Sequence, residues 1–329
     1  MAEARLHAAG LSRAFQMRAR RAGLKGAVAD WISPIVSERV VIEGVDLDVR
    51  AGQVVGLLGA NGAGKSTVVK CLVGLLQPTS GTVRIDGLDP FTQREQVVRR
   101  LGVVFGQRSQ LWWDLAVRES FDLLAALFGV DDATHKARLE SLVAALEIED
   151  LLARPVRELS LGQRVRCDLA ASLLHGPSVL VLDEPTIGID ASVRTRVRSF
   201  VRARADGGAA VLLATHDLDD VDAICDAVVL LDHGRPIFQG PPAALKTWLG
   251  GVRSLRVVPR DHVPDEAVAA LSARLGVAVG REGGALRVPI DVDAAGRTRA
   301  VLDAIDVMDV ATVEASLERL LADWYEAHR

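Results

Sequence analysis

Apolar residues along this chain fall into two rhythms. Short runs in which nearly every position is apolar, at 54–58, 101–105, 179–182 and 211–215, are too short for buried helices and stop at glycine or polar residues. They predict strands covered on both faces. Further strands are expected at 39–45 and 81–86, set off by turn residues such as Gln77-Pro78-Thr79-Ser80-Gly81. Helical spacing takes over at 65–76, 118–127 and 133–146, and again from 161 to 174, where Ser160 stands as an N-cap. Alternation of buried strands with helices predicts an α/β domain. Strands 54–58, 179–182 and 211–215 should join one parallel sheet, which puts whatever follows each strand at the same carboxyl edge.

After Gly240-Pro241-Pro242 and Gly250-Gly251 the pattern changes. Strand 254–258, helix 267–275, strands 277–280 and 285–290, helix 297–305 and strand 310–314 follow in order, closed by a helix at 316–327. A βαββαβ order predicts a small α+β, ferredoxin-like module. The expected division is 1–245 for the large domain, with helical insertion at about 111–175, and 252–329 for the small one.

The chemistry sits where the strands end. Gly59-Ala60-Asn61-Gly62-Ala63-Gly64-Lys65-Ser66-Thr67 follows the first buried run and opens a helix. This is a full-length P-loop: its glycines let backbone N–H groups turn around the α- and β-phosphates, Lys65 reaches the β/γ-phosphates, and the Ser66 hydroxyl can ligate Mg²⁺. Run 179–182 ends in Asp183-Glu184, one carboxylate to hold Mg²⁺ and one to polarise an attacking water. Run 211–215 ends at His216, and Gln107 follows 101–105. Leu159-Ser160-Leu161-Gly162-Gln163 opens another helix, a second anion-facing N-terminus.

P-loop, Gln107, LSLGQ, Asp183-Glu184, Gly188-Ile189-Asp190 and His216, in that order, resemble the nucleotide-binding subunit of an ABC transporter over roughly residues 1–245. The resemblance implies an ABC-type P-loop NTPase fold with a helical subdomain. It assigns Lys65 and Ser66 to Walker A, Gln107 to the Q-loop and metal, Ser160 to Gln163 to the signature, Asp183 and Glu184 to Walker B, Asp190 to the D-loop and His216 to the switch. Two departures stand out. Leu161 occupies a position where the family's signature usually has glycine, so a different local backbone preference is expected there, while Gly162 retains the close-approach glycine. The family's adenine-stacking aromatic is usually a tyrosine before the P-loop; the sole tyrosine here is Tyr325. Phe15 is the expected substitute, with Trp31 or a core role for Phe15 as alternatives.

Composition narrows the setting. The 329 residues are 49% hydrophobic with a net charge of −4, which offers no global attraction to nucleic acid. No apolar stretch is long enough to cross a bilayer, and Glu3 and Arg5 interrupt the N-terminus where a secretory signal would be apolar. Cys71, Cys167 and Cys225 have no metal-type spacing and are expected as buried free thiols.

Two stretches remain. Gly106 to Leu115 places Trp112 and Trp113 just beyond the Q-loop, suggesting an interface or, alternatively, an internally packed hinge. This run and LSLGQ resemble ABC-2-type, drug-resistance-like export ATPases. Segment 16–39 carries Arg18, Arg20, Arg21 and Lys25 ahead of Trp31, Ile32, Ile35 and Val36, a hint of membrane-edge contact, with a solvated loop or surface helix as the plainer expectation. The resemblance implies ATP and Mg²⁺ as ligands, a homodimer sharing two nucleotide sites, separate membrane permeases, and a peripheral place on the cytoplasmic face of the cell membrane. A non-transport ATPase acting on ribosomes or DNA, or an importer ATPase, is the competing function.

Overall fold

The computed structural model describes residues 4–19, 35–106, 108–250, 254–290, 294–313 and 317–327. They divide into two compact units, Met1–Pro242 and Ala243–Arg329. In the first unit the elements run β1 (Ala4–Ala19), β2 (Ile35–Arg50), β3 (Val54–Leu58), α1 (Lys65–Leu72), β4 (Ser80–Ile85), α2 (Arg94–Val98), β5 (Leu101–Phe105), α3 (Val117–Phe128), α4 (Asp132–Leu146) and α5 (Leu161–Ala171). Then come β6 (Val179–Asp183), α6 (Ala191–Asp206), β7 (Ala210–Ala214), α7 (Leu218–Ile224), β8 (Ala227–Asp232) and β9 (Arg235–Gly240), with α8 (Pro242–Trp248) at the boundary.

Six strands form the central sheet in the order β5-β6-β7-β3-β8-β9, parallel except for β9. The uninterrupted apolar runs have the expected cause. In β6, Leu180 and Leu182 join one core with the helices, while Val179 and Val181 join a second core with α1 and the other sheet. β3, β6 and β7 are buried at every position. β5 pairs with β6 so that Phe105 lies opposite Asp183, and β6 with β7 so that Asp183 lies opposite Ala214. The P-loop, Asp183-Glu184 and His216 therefore leave the same edge.

A second, antiparallel sheet has the order β2-β1-β4. Here the sequence reading needs correction: the strand expected at 39–45 extends over Ile35–Arg50 and pairs with β1 from Ala4↔Arg50 to Ala19↔Ile35. Residues 16–19 and 35–39 are therefore strand, not loop or surface helix. Backbone pairing along a ribbon needs no apolar face, so a segment that mixes charged and apolar residues without a strand period concealed it. Arg20, Arg21, Lys25, Trp31 and Ile32 lie outside the described residues.

In the second unit β10 (Ser254–Pro259), α9 (Asp265–Leu275), β11 (Gly280–Glu282), β12 (Ala285–Pro289), α10 (Ala294–Leu302) and β13 (Val307–Val313) precede α11 (Leu317–Ala327). The strands form an antiparallel sheet in the order β11-β12-β10-β13. The strand expected at 277–280 begins at Gly280, because Gly276 ends α9 in a left-handed conformation and Val277 and Val279 pack against the small core before pairing starts.

Candidate functional site: a phosphate cradle at the sheet edge

β3 ends in the loop that turns into α1, and the turn is possible because its glycines occupy conformations closed to other residues. Gly59 has φ 154° and Gly64 φ 104°; a Cβ on Gly59 would sit 2.6 Å from Leu231 O, and one on Gly64 2.8 Å from Ile42 Cγ2. The loop is thus pressed against neighbouring backbone on one side and keeps the other for phosphate. Lys65, only 6% exposed, points back under it and donates from Nζ to Gly59 O at 2.6 Å.

Glu184 meets this lysine. Its Oε1 is 3.5 Å from Lys65 Nζ and its Oε2 is 2.7 Å from His216 Nδ1, so one carboxylate bridges residues delivered by β3, β6 and β7. Glu184 itself has φ 54°, an uncommon conformation for a non-glycine residue, held by its N–H donating to Ala214 O at 2.8 Å.

Asp183 is buried, with Oδ1 lacking any hydrogen-bond partner among the described residues. Burial lifts its carboxyl above the ordinary carboxylate range, opposed first by a hydrogen bond from the Ser66 hydroxyl, while the Glu184 charge adds to the rise. An orphaned carboxylate oxygen beside a serine hydroxyl is a donor set that suits Mg²⁺, a hard cation that keeps few protein ligands when phosphate oxygens share it. Ser66, Asp183 and Glu184 also line a cavity of about 330 Å³ with Lys70, Phe105 and Gly106. Gly106 N donates to Asp183 O at 2.8 Å. Gln107, next in the chain, lies outside the described residues.

The remaining motif residues form separate structures. Ser160 and Gln163 cap α5 reciprocally: Gln163 N donates to Ser160 Oγ at 3.3 Å and Ser160 N to Gln163 Oε1 at 2.9 Å. Gly162 does not have positive φ, and a Cβ there would lie 3.5 Å from Val193, an ordinary contact. Among the described residues nothing within this chain demands its smallness. Leu161 packs into the main core and over Gly188 of the D-loop, where a Cβ would sit 2.9 Å from Leu161 Cδ2. The unusual leucine thus ties the signature to the D-loop. Asp190 caps α6, with its carboxyl held below the ordinary range first by the Ser192 hydroxyl and then by Val193 N–H. Phe15 is on β1, its ring 4.7 Å below the Arg13 guanidinium; Trp31 is outside the described residues.

Three features were not read from the sequence. Asp168 in α5, 5% exposed, accepts from Ser109 Oγ at 2.9 Å and Gln110 N at 3.0 Å, while its backbone oxygen accepts from Gln110 Nε2 at 2.9 Å. The segment after the Q-loop is thereby fastened to the signature helix. Burial pushes the Asp168 carboxyl up to about 6. Asp220, fully buried, accepts from Thr186 Oγ1 and from Arg198 Nε at 2.6 Å, joining the Walker B loop, α6 and the helix that follows His216. Burial raises its carboxyl as well. A charged residue inside an apolar helical run was the available signal for Asp168; partners 22 to 34 residues away left none for Asp220. The third is β8, which pairs in parallel with β3 on one side and antiparallel with the edge strand β9 on the other.

Trp112 and Trp113 are 40% and 53% exposed. Trp113 lies 5.7 Å from the Arg164 guanidinium, and Trp112 N donates to Ser120 Oγ at 3.2 Å. The three cysteines are free; Cys71 and Cys167 are buried as expected, with thiols raised by burial to about 11 and about 12, whereas Cys225 is only half-buried.

A glycine-lined loop after a central parallel strand, a buried lysine, and two carboxylates on the next-but-one strand define a P-loop nucleotide-hydrolysing protein. The family model described as ABC transporter matches residues 42–187. The chain is 39% identical over 242 residues to a daunorubicin/doxorubicin resistance ATP-binding protein of Streptomyces peucetius, covering 73% of each. It is 36% identical to a daunorubicin resistance ATP-binding protein of Streptomyces coeruleorubidus, covering 86% of this chain and 90% of the relative. A solved ATP-binding subunit of an ABC transporter superposes with TM-score 0.63 at 26% identity, covering 74% of this chain and 93% of that one. The chain belongs to the ABC transporter family as an ATP-binding subunit, and it is an ATPase.

Proposed function

We propose that this protein is the ATP-hydrolysing subunit of an exporter, working as a homodimer on the cytoplasmic face of the cell membrane and driving separate permease subunits. The observation that carries the reading is Glu184 held between Lys65 and His216 at the edge of the sheet. An incoming γ-phosphate competes with Gly59 O and Glu184 Oε1 for Lys65 Nζ. Once Lys65 turns to phosphate, Glu184 is freed to take a proton from the attacking water, with His216 fixing its second oxygen. Asp183, Ser66 and Gln107 would hold Mg²⁺, which neutralises charge between the β- and γ-phosphates. Backbone amides of Gly59 to Thr67 cradle the phosphates, and Phe15 stacks on adenine.

The dimer follows from the signature. Ser160, Gly162, Gln163 and Asp190 form their own capped helix ends, and Gly162 needs no small side chain for its own chain's sake. Their chemistry is therefore assigned to the partner's γ-phosphate, approached at a helix N-terminus. The drug-resistance relatives support the exporter reading, and nothing in the net charge of −4 favours nucleic acid. Strand order and antiparallel pairing in the second unit support a ferredoxin-like module over 252–329, following the ABC domain at 1–245.

Mixing tests the shared sites. Gly162→Asp places bulk and negative charge against the partner's phosphate, and Lys65→Ala removes the cradle's cation. Each homodimer is expected to be nearly inactive, whereas an equimolar mixture regains turnover from the heterodimer's one intact composite site. Normal hydrolysis by Gly162→Asp alone would contradict the shared site.

A further inference from the structure

At the opposite, amino edge of the parallel sheet, the segments entering β6 and β7 floor a cavity of about 430 Å³. Its walls come from three parts of the unit: Arg5 from β1, Arg138 from α4, and Arg204 from α6. No aspartate or glutamate lines it. The Arg138 head rests on Gly176, where a Cβ would lie 2.7 Å from Nη2, and its Nη1 donates to Leu174 O at 3.0 Å. Arg204 lies 5.1 Å over its own helix's Phe200 ring. Among the described residues, none of the three arginines pairs with a carboxylate, whereas Arg194, Arg198 and Arg202 on the same α6 all do. The nearby Asp86 is engaged by the Ser178 hydroxyl and lies 3.8 Å from Arg100.

Three guanidinium residues around one cavity, with no acid in the wall, leave positive charge uncompensated in a chain that is acidic overall. Burial holds the Arg204 guanidinium below its ordinary range, with no opposing carboxylate. We propose that this cavity binds a small organic phosphate, its phosphate gripped by Arg138 and Arg204 and its organic part laid against Leu142, Leu173 and Pro177. Guanidinium forks match phosphate oxygens, and a volume of this size falls in the range of small-ligand sites, well beyond what an inorganic ion fills. Because Arg138 stands on the helical segment between the Q-loop and the signature and Arg204 on the helix after the D-loop, such a ligand would tie those two elements together. The site is independent of the exporter reading.

Phenyl phosphate is a suitable probe, with inorganic phosphate and phenol as controls, titrated calorimetrically into the full chain. One saturable site is expected, with the same affinity in wild type and in Lys65→Ala, and inorganic phosphate should bind about tenfold or more weakly. Arg138→Met and Arg204→Met should each weaken phenyl phosphate about ten- to a hundredfold. Should Arg138→Met lower the melting temperature by losing its bond to Leu174 O, Arg204→Met, which gives up no such bond, carries the test. Affinity unaffected by Arg204→Met, or binding abolished by Lys65→Ala, would overturn the site. Inorganic phosphate binding as tightly as phenyl phosphate would overturn the organic ligand.

Discussion

Asp168→Asn is the most informative single change outside the nucleotide site. The carboxyl is 5% exposed and is pushed from the ordinary 3.8 up to about 6 by burial, with Ser109 and Gln110 opposing the rise. At about 1.4 kcal/mol per tenfold, ionising it inside the fold costs about 3 kcal/mol more than ionising it in the unfolded chain. Between pH 3.8 and about 6 the folded protein holds a proton that the unfolded chain has released, so this residue makes stability fall as pH rises through that window and leaves it level above. Going from about pH 5 to about pH 7, the term amounts to roughly 1.3 kcal/mol of lost stability. Asparagine keeps an acceptor for Ser109 Oγ and Gln110 N but does not titrate. Its new amide donors need partners in a buried place, which costs about 1–3 kcal/mol. The net change near neutral pH is therefore small, from about zero to a gain of about 2 kcal/mol. Denaturant unfolding of wild type and variant at both pH values gives the double difference, in which all other titrating groups cancel. Identical pH slopes in the two proteins would refute the reasoning.

Two further outcomes are expected. Asp220→Ala strands Arg198 in a largely buried position with only Asp217 at 3.7 Å, and should cost about 3–5 kcal/mol, read as a lowered unfolding midpoint of the nucleotide-binding unit; a cost under about 1 kcal/mol would show the pair to be dispensable. Trp112→Ala with Trp113→Ala should leave melting temperature and ATP affinity nearly unchanged and weaken co-purification with the permease, because both rings are substantially exposed; a destabilised subunit that still binds its permease would favour the hinge instead.

Much of this architecture is legible because backbone chemistry forces it. A P-loop must follow a buried strand, and the continuous apolar runs at 54–58 and 179–182 exist because each strand separates two cores. Lys65, Ser66, Asp183, Glu184 and His216 could be placed at one edge from strand ends alone. What escaped notice depends on tertiary pairing. The β1–β2 ribbon buries Leu6, Ala8, Leu11, Ile42, Val45, Leu47 and Val49 along its inner end, but its outer end at 16–19 and 35–39 mixes apolar with charged residues and is held by backbone pairing, which leaves no apolar period to read. The contacts of Asp168 with Ser109 and of Asp220 with Thr186 join residues 59 and 34 positions apart, and neither spacing has a local signature. Leu161, which reads as a defect in the signature, has its explanation in the close approach to Gly188.

Phosphate release by Glu184→Gln tests the central claim most directly. Glutamine preserves the size of the side chain and its hydrogen bond with His216 but cannot accept the water's proton, so turnover should fall about a hundred- to ten-thousandfold while MgATP binding persists. Near-normal phosphate release by this variant, with ATP bound at the P-loop, would remove Glu184 from the chemistry and contradict the account.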